Sequence, residues 1–405
     1  MKNILIVSQY FWPENFKIND LALSLKMRGY SVNVLTGKPN YPHGKFFKGY
    51  GFFSPHKESY NGIDVYRVPL FPRGNGSGIR LLLNYLSFVF FGSLFILFHR
   101  KKYDLSITYA ISPITQAFPA LVHKLFFKSK VYIWLQDLWP ESVVAAGKVN
   151  SGLAMYLLNK MVRTIYKNCD KVLVQSEAFT ESVINKGMQE SNIHYIPNWA
   201  EDVFTSSVIT TDPAKFHLPD GFKIVFAGNI GEAQDFESLI KAASLTKEFP
   251  DIKWVFVGDG RKKQWVQEQI KLKKLEKTVF LPGSFPLEDM PTLYAQADIL
   301  LISLKDKDIF SLTIPVKLQP YMASGKPVAG MLNGVGAELI SKANCGFACP
   351  AGDYVSLSGL VIKAYQMNQK LLLELGLNGK NYHDENFQKE LILNNLTSLI
   401  DASNN

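Results

Sequence analysis

The chain has 405 residues, 47% hydrophobic and 20% charged, with 44 Lys and Arg against 35 Asp and Glu and a formal charge of +9. That length exceeds one ordinary domain and allows two cores, and the composition excludes a disordered, collagenous or disulfide-dense chain. Residues 1–200 hold 23 Lys and Arg against 11 Asp and Glu, a net +12, and the remainder 21 against 24, a net −3. A basic half suits an anionic partner: a membrane surface, a lipid-linked pyrophosphate or nucleic acid.

From the start, MKNILIVSQY has a short apolar run without a small-residue cleavage site, so it predicts a first strand and not a signal peptide. The runs ILIVS (4–8), VNVLT (32–36), IDVYRV (63–68), LSITYA (105–110), VYIWLQ (131–136) and KVLVQS (171–176) alternate with helical patterns. Near-continuous apolar strands separated by helices predict a parallel sheet covered on both faces. A polar stretch, 201–219, contains TSSVITTDP and reads as a linker. A second series follows: KIVFAG (223–228), IKWVFVG (252–258), TVFLPG (278–283), ILLISL (299–304), PVAGML (327–332) and CGFACP (345–350). The predicted fold is α/β, with Rossmann-like, doubly wound domains over 1–200 and 220–368 facing a cleft and ligands beyond the carboxyl ends of the strands. Residues 369–405 are predicted as helices whose LILNNLTSLI end can cross back to the first domain. Three cysteines, Cys169, Cys345 and Cys349, form no even set and no CxxC, which argues for the cytosol.

Residues 81–98, LLLNYLSFVFFGSLFILF, are long enough nearly to span a bilayer, with Arg80 before them and His99-Arg100-Lys101-Lys102 after. The strands on either side belong to one sheet, so the segment stays on one side of any membrane. A buried helix normally shows a polar stripe, and this one barely does. It is expected to lie in the interface of an anionic membrane through 79–102, which makes the protein peripheral on the cytoplasmic face.

The strand-loop-helix FAGNIGEAQDF places Gly228, Asn229 and Gly231 where backbone N–H groups can meet a phosphate, although any parallel domain needs glycines at such turns. Gly258-Asp259-Gly260 followed by Arg261 repeats the pattern. In IFSLTIPVKLQPYMASGKPV, Pro315 is expected to open a helix with Lys317 in its first turn, a place that disfavours a cation unless it meets a diphosphate. In the first domain IWLQDLWPES sets Asp137 and Glu141 at a strand end, and QYFWPENFK sets Glu14 at the same edge. Capping or a solvated carboxylate accounts for each equally simply. The loop TGKPNYPHGKFFKGYG (36–51) is too long and aromatic for a plain connector and reads as a binding loop. Asp306-Lys307-Asp308 matches a DxD pattern and is read as chance; there is no HExxH and no GxxxxGK[ST].

Taken together, SQYFWPENFKINDLA, LTGKPNYPHGK, LQDLWPES, YIPNWAEDVF, FAGNIGEAQ, VGDGR and LTIPVKLQPYMASGKPV resemble glycosyltransferase family four with the GT-B fold, over nearly the whole chain. They are similar in particular to a WbuB-like subfamily of N-acetyl-L-fucosaminyltransferases. The resemblance implies a retaining, metal-independent enzyme that needs no cofactor, binds the nucleotide sugar on the second domain and takes an undecaprenyl-pyrophosphate-linked acceptor on the first. Two departures stand out. The family's paired glutamates would fall at Leu312 and Pro320, and its Arg and Lys at Asn229 and about Gln234. Lys317, Thr313 and Arg261 are the expected substitutes at the phosphates and Glu338 at the ribose, with Asp137, Glu14 and Lys317 the candidate catalytic residues. A UDP-linked N-acetyl-L-fucosamine donor is expected, with O-antigen, capsule or exopolysaccharide as the product. The alternatives are a GDP-L-fucose-dependent fucosyltransferase and a nonhydrolysing nucleotide-sugar epimerase. A dinucleotide oxidoreductase would want GxGxxG after the first strand, where SQYFWPENFK has no glycine. A non-catalytic membrane adaptor leaves the phosphate-type turns without purpose, and nucleic acid is not expected as a partner.

Overall fold

The computed structural model describes residues 1–54, 56–145, 147, 151–205 and 212–402, and every count below is of those residues. The chain divides into two compact units, Met1–Pro197 with Leu393–Asn405, and Asn198–Ile392.

In the first unit the strands are β1 (Asn3–Val7), β2 (Ser31–Gly37), β3 (Lys57–Tyr60), β4 (Ile63–Val68), β5 (Leu105–Ala110), β6 (Lys130–Leu135), β7 (Lys171–Val174) and β8 (Ile193–Tyr195). They form one sheet in the order β3-β4-β2-β1-β5-β6-β7-β8, parallel except for β3. Every residue of β5 is buried, as a strand covered on both faces requires. Two strands were not foreseen. β3, sequence KESY, pairs antiparallel with β4 through Asn61 and Gly62, both at positive φ. Asn-Gly between two short runs is the two-residue hairpin signal. β8 is a three-residue edge strand, too short and polar to read from pattern.

The second unit carries β9 (Phe222–Ala227), β10 (Ile252–Val257), β11 (Val279–Gly283), β12 (Ile299–Ser303), β13 (Val328–Met331) and β14 (Gly346–Cys349) in the parallel order β11-β10-β9-β12-β13-β14. Successive side chains go to opposite faces. Val225, Ala227, Val255, Val257, Leu300 and Ile302 therefore join one core, while Ile224, Phe226, Trp254, Phe256, Ile299 and Leu301 join the other.

The stretch expected as a linker is built into the second unit where it is described. Asp202–Thr205 is a helix and Pro213–Phe216 a 3-10 turn, and Phe204 and Phe216 are buried in the core. Residues 206–211 of that stretch lie outside the described residues. Helix Gln369–Asn386 also belongs to the second unit, whereas the last helix, Lys389–Asp401, carries its end into the first. There Leu393, Leu396 and Ile400 are fully buried, Tyr132 Oη donates to the Leu399 carbonyl at 3.0 Å, and Lys2 Nζ donates to the Ile400 carbonyl. Leu396→Ala is expected to destabilise the protein by about 2–5 kcal/mol, read as a lower midpoint of urea unfolding with far-UV dichroism unchanged in water.

Candidate functional site

In the second unit the connections leave β9 toward β10 and β12 toward β13, so the crevice of this sheet opens between β9 and β12. Two loops are stitched together at that edge. Gly228 N–H donates to Val257 O at 2.9 Å, Ile230 N–H to Asp259 O at 2.7 Å and Lys262 N–H to Ile230 O at 3.0 Å. This approach needs glycine: Gly258 has φ +138° and a Cβ there would run into the Gly228 carbonyl. Asn229 wedges its amide between Gly231 and Gly260, its Oδ1 lying 2.6 Å from where a Gly260 Cβ would stand.

Lys317 sits directly beneath this turn. A Cβ on Gly228 (φ +143°) would stand 2.5 Å from Lys317 Cε and 2.6 Å from Nζ. The expectation of a first-turn position is corrected by one residue. Pro315 opens a turn, with Leu318 N–H donating to its carbonyl at 2.9 Å, and Lys317 is the residue capping helix Leu318–Ala323. Tyr321 of that helix accepts the Ala227 N–H at 3.0 Å, fixing the helix start against the end of β9. Lys317 Nζ lies 3.5 Å from the Phe226 ring centroid, and no carboxylate or carbonyl among the described residues pairs with it. Burial pushes its pKa down to about 7. Neighbouring cations are already neutralised: Lys262 by Glu232 and Glu237, Lys263 by Asp259 and Lys305 by Glu232. Arg261 is exposed in the turn after Gly260, with no such partner among the described residues.

Other expected residues divide. The Thr313 hydroxyl donates to Ile309 O at 2.7 Å, so its proton is committed to the helix before it and the oxygen is left only as an acceptor. Its role as a donor to phosphate is corrected accordingly. Glu338 is exposed in the first turn of helix Val335–Lys342, whose glycine Gly336 packs against Pro315. Asp306 of the DxD-like triplet accepts from Asn333 Nδ2 at 2.9 Å. Two residues were missed. Ser303 ends β12 and Gln319 follows Lys317 by two positions; both are buried, and the hydroxyl and both amide atoms lack partners among the described residues. Such groups in a native core call for a ligand or water. A lone amide in an otherwise apolar helical turn was the available signal.

At the ligand edge of the first unit, charge is spent on loops. Glu14 is 2% exposed, and its Oε1 accepts the N–H groups of Asn40 and Tyr41 at 2.8 and 2.7 Å. Burial raises its pKa to about 7, against those two hydrogen bonds. The carboxylate thus pins the aromatic loop after β2, which replaces the catalytic part expected for it with a positioning one. Arg73 donates to Tyr10 Oη at 2.7 Å and lies over the Tyr10 and Tyr41 rings. Asp137, just past β6, takes both the N–H and the hydroxyl of Ser112 on its Oδ2 at 3.1 Å, and burial raises its pKa. Glu141 pairs with Lys186 and accepts from Ser182 at 2.9 Å. Asp137 and Glu14 follow β6 and β1, strands separated by β5, and no hydrogen bond joins them among the described residues.

Comparison with known proteins gives the same two-part division. Residues 17–199 match the family model described as "Glycosyl transferase 4-like domain", and residues 208–382 the one described as "Glycosyl transferases group 1". WcaI of Escherichia coli, named as a colanic acid biosynthesis glycosyl transferase, is 27% identical over 74% of this chain and 75% of its own. Among solved structures, sucrose-phosphate synthase of Thermosynechococcus elongatus superposes with a TM-score of 0.76 at 17% identity over 99% of each chain. Anabaena HepE in complex with UDP superposes at 0.71 and 15% identity, over 99% of this chain and 100% of that one. With both family domains in order and the fold shared, the chain belongs to the GT-B glycosyltransferases.

Proposed function

We propose that the chain transfers N-acetyl-L-fucosamine from its UDP donor, held by the second unit, to a lipid-linked pyrophosphate acceptor held by the first, in assembly of a cell-surface polysaccharide. The observation that carries the nucleotide assignment is the unpaired Lys317 ammonium under the Gly228 turn at the crevice of the second sheet. HepE, solved with UDP, and WcaI, named for colanic acid, support the donor class and the pathway class. The sugar and the WbuB-like subfamily rest on the motif resemblance.

In this reading the donor diphosphate lies at the Gly228 turn after β9 with Lys317 and Arg261 on its charge. The acceptor oxygen bonds to the anomeric carbon on the face the diphosphate leaves, the carbon–oxygen bond to the β-phosphate breaks, and the acceptor proton passes to a phosphate oxygen. Configuration is retained without a carboxylate nucleophile or a metal ion. Lys317 stabilises the charge that builds on the leaving phosphate. Asp137 and Glu14 act by holding the acceptor-side loops.

Below about pH 7 Lys317 is charged in the free protein; above it, a neutral amine must take up a proton as the diphosphate binds. Affinity for UDP is therefore expected to fall as pH rises above this value, by up to about tenfold per unit, until the higher pKa of the complex is reached. Lys317→Ala is expected to flatten this dependence in titration calorimetry and to lower kcat by roughly 10²–10³-fold. A pH slope that survives the substitution removes Lys317 from the site. Competition between UDP and GDP tests the base, and a panel of UDP-sugars with a polyprenyl-pyrophosphate acceptor tests the sugar. Tight GDP binding with no UDP binding selects the GDP-L-fucose alternative, and sugar conversion without acceptor selects an epimerase.

The first unit is proposed to work on the cytoplasmic face of the membrane. Helix Gly78–His99 buries Leu81, Asn84, Phe88, Gly92 and Ile96 and turns the other face outward. Leu82 is 56% exposed, Leu86 51%, Phe90 61% and Phe98 78%, a continuous stripe at helical spacing. Leu125 and Phe126, at the end of helix Phe118–Phe127, are exposed as well. No acidic residue occurs between Asp64 and Asp104, while Arg80, Arg100, Lys102 and Lys128 are exposed. An apolar stripe with cationic ends fits an anionic interface. The protein is expected to sediment with phosphatidylglycerol vesicles, less so in high salt but not to zero, and Leu86→Glu with Phe90→Glu is expected to abolish it. Full release by salt sinks the apolar part of this reading.

A further inference from the structure

An open slot of about 250 Å³ lies beside the outward stripe, between helix Gly78–His99 and the end of β4. Its walls are Val68, Pro69, Phe91, Leu94, Phe95 and Phe98, and His56 and Arg67 also line it. Arg67 offers no vacant charge: its guanidinium bonds Glu58, Gly37 O and Trp12 O, so it contributes packed surface. The rings that form the walls are held apart by other rings. Phe91 meets Phe52 edge-on at 5.7 Å, Phe52 meets Phe71 at 5.6 Å, and Phe95 packs on Tyr66 at 5.1 Å and on His99 at 4.7 Å.

The slot has two different surroundings. On its outer side Leu94, Leu97 and Phe98 are exposed on the stripe. Its inner end is at the carboxyl end of β4, where Arg67 reaches the last carbonyl of β2 and where Phe52, from the loop after β2, packs on Phe91. An amphiphile entering from the stripe would leave its chain among the phenylalanines and bring its head to the ligand edge. We propose that this slot holds the proximal hydrocarbon of the acceptor's polyprenyl chain, a placement that rests on the lipid-linked acceptor of the proposed function. One slot of this size suits a lipid with a single chain. A two-chain phospholipid has to leave its second chain in the bilayer, which keeps its headgroup at the membrane surface, whereas a single-chain lipid can carry its head to the ligand edge.

The experiment uses the intact protein in dilute nonionic detergent without vesicles, irradiated with geranylgeranyl phosphate bearing a diazirine on its first isoprene unit. Labelling is expected in the peptides holding Val68, Pro69 and 91–98, displaced by unlabelled polyprenyl phosphate and not by phosphatidylglycerol. Val68→Phe and Pro69→Phe, which fill the slot, are each expected to cut labelling by about tenfold or more while vesicle sedimentation stays at the wild-type level. Label spread over Leu82, Leu86 and Phe90, equal displacement by phosphatidylglycerol, or filled variants that label like wild type overturns the slot. The label map of the wild type needs no variant, so a misfolded substitution does not spare the proposal. Wild type that labels at the slot but does not sediment overturns the membrane reading alone; wild type that sediments but labels elsewhere overturns the slot alone.

Discussion

An ammonium ion taken out of bulk water and given no counter-charge destabilises the fold around it. In the second unit Lys317 is in that position: its nitrogen faces the Phe226 ring and no anion among the described residues answers it. The surrounding contacts keep it there. Tyr321 is tied to the last residue of β9, Gly228 lacks the Cβ that would collide with the lysine, and Gly258 lacks the one that would drive the neighbouring loop away. Together these contacts hold the lysine under the turn and out of bulk water. Pairing Lys262, Lys263 and Lys305 with carboxylates has the complementary effect, because it leaves the field at this edge to the cations that are not spent.

The first unit uses its charges the opposite way. Glu14 on Asn40 and Tyr41, Asp137 on Ser112, and Arg67 on Glu58 and two carbonyls each convert a charge into a fixed loop. Charge-assisted hydrogen bonds to backbone are strong enough to hold an aromatic, proline-rich loop in one shape. What the loops then present is ring surface: Tyr10 and Tyr41 beneath Arg73, and Phe52 beside Phe91. Such a surface suits the sugar and the hydrocarbon of a lipid-linked acceptor.

Much of this is legible in the amino-acid sequence. The strands of both sheets announce themselves as apolar runs because a parallel sheet buries both faces, and the paired glycines mark the turns where loops approach each other. β3 is not legible as an apolar run because its sequence is polar; its hairpin is written in Asn61-Gly62 alone. Glu14 and Thr313 show a different difficulty. Residue type proposes a carboxylate or a hydroxyl for catalysis, but only geometry reveals that the carboxylate is engaged by two backbone N–H groups and the hydroxyl by a carbonyl. Ser303 and Gln319 show the converse, since lacking a partner is a property of the surroundings; for Gln319 the only trace in the sequence is an amide in an apolar helical turn, and Ser303 leaves none. The greasy segment at 81–98 was legible in composition, and the structure adds which side of it is left bare.

The return of the last helix to the first unit sets an order on the making of the protein. Domains generally fold as they emerge, N-terminal first, yet the first unit lacks Leu393, Leu396 and Ile400 until nearly two hundred further residues have been synthesised. During that interval the nascent sheet presents an uncovered apolar strip on the face where that helix will lie, while helix Gly78–His99 on the opposite face is already greasy on its outer side. The half that is made first is therefore the half that is finished last. For a chain whose earliest part is also its stickiest, the time spent half-built is when a chaperone or a nearby bilayer has the strongest hold on it.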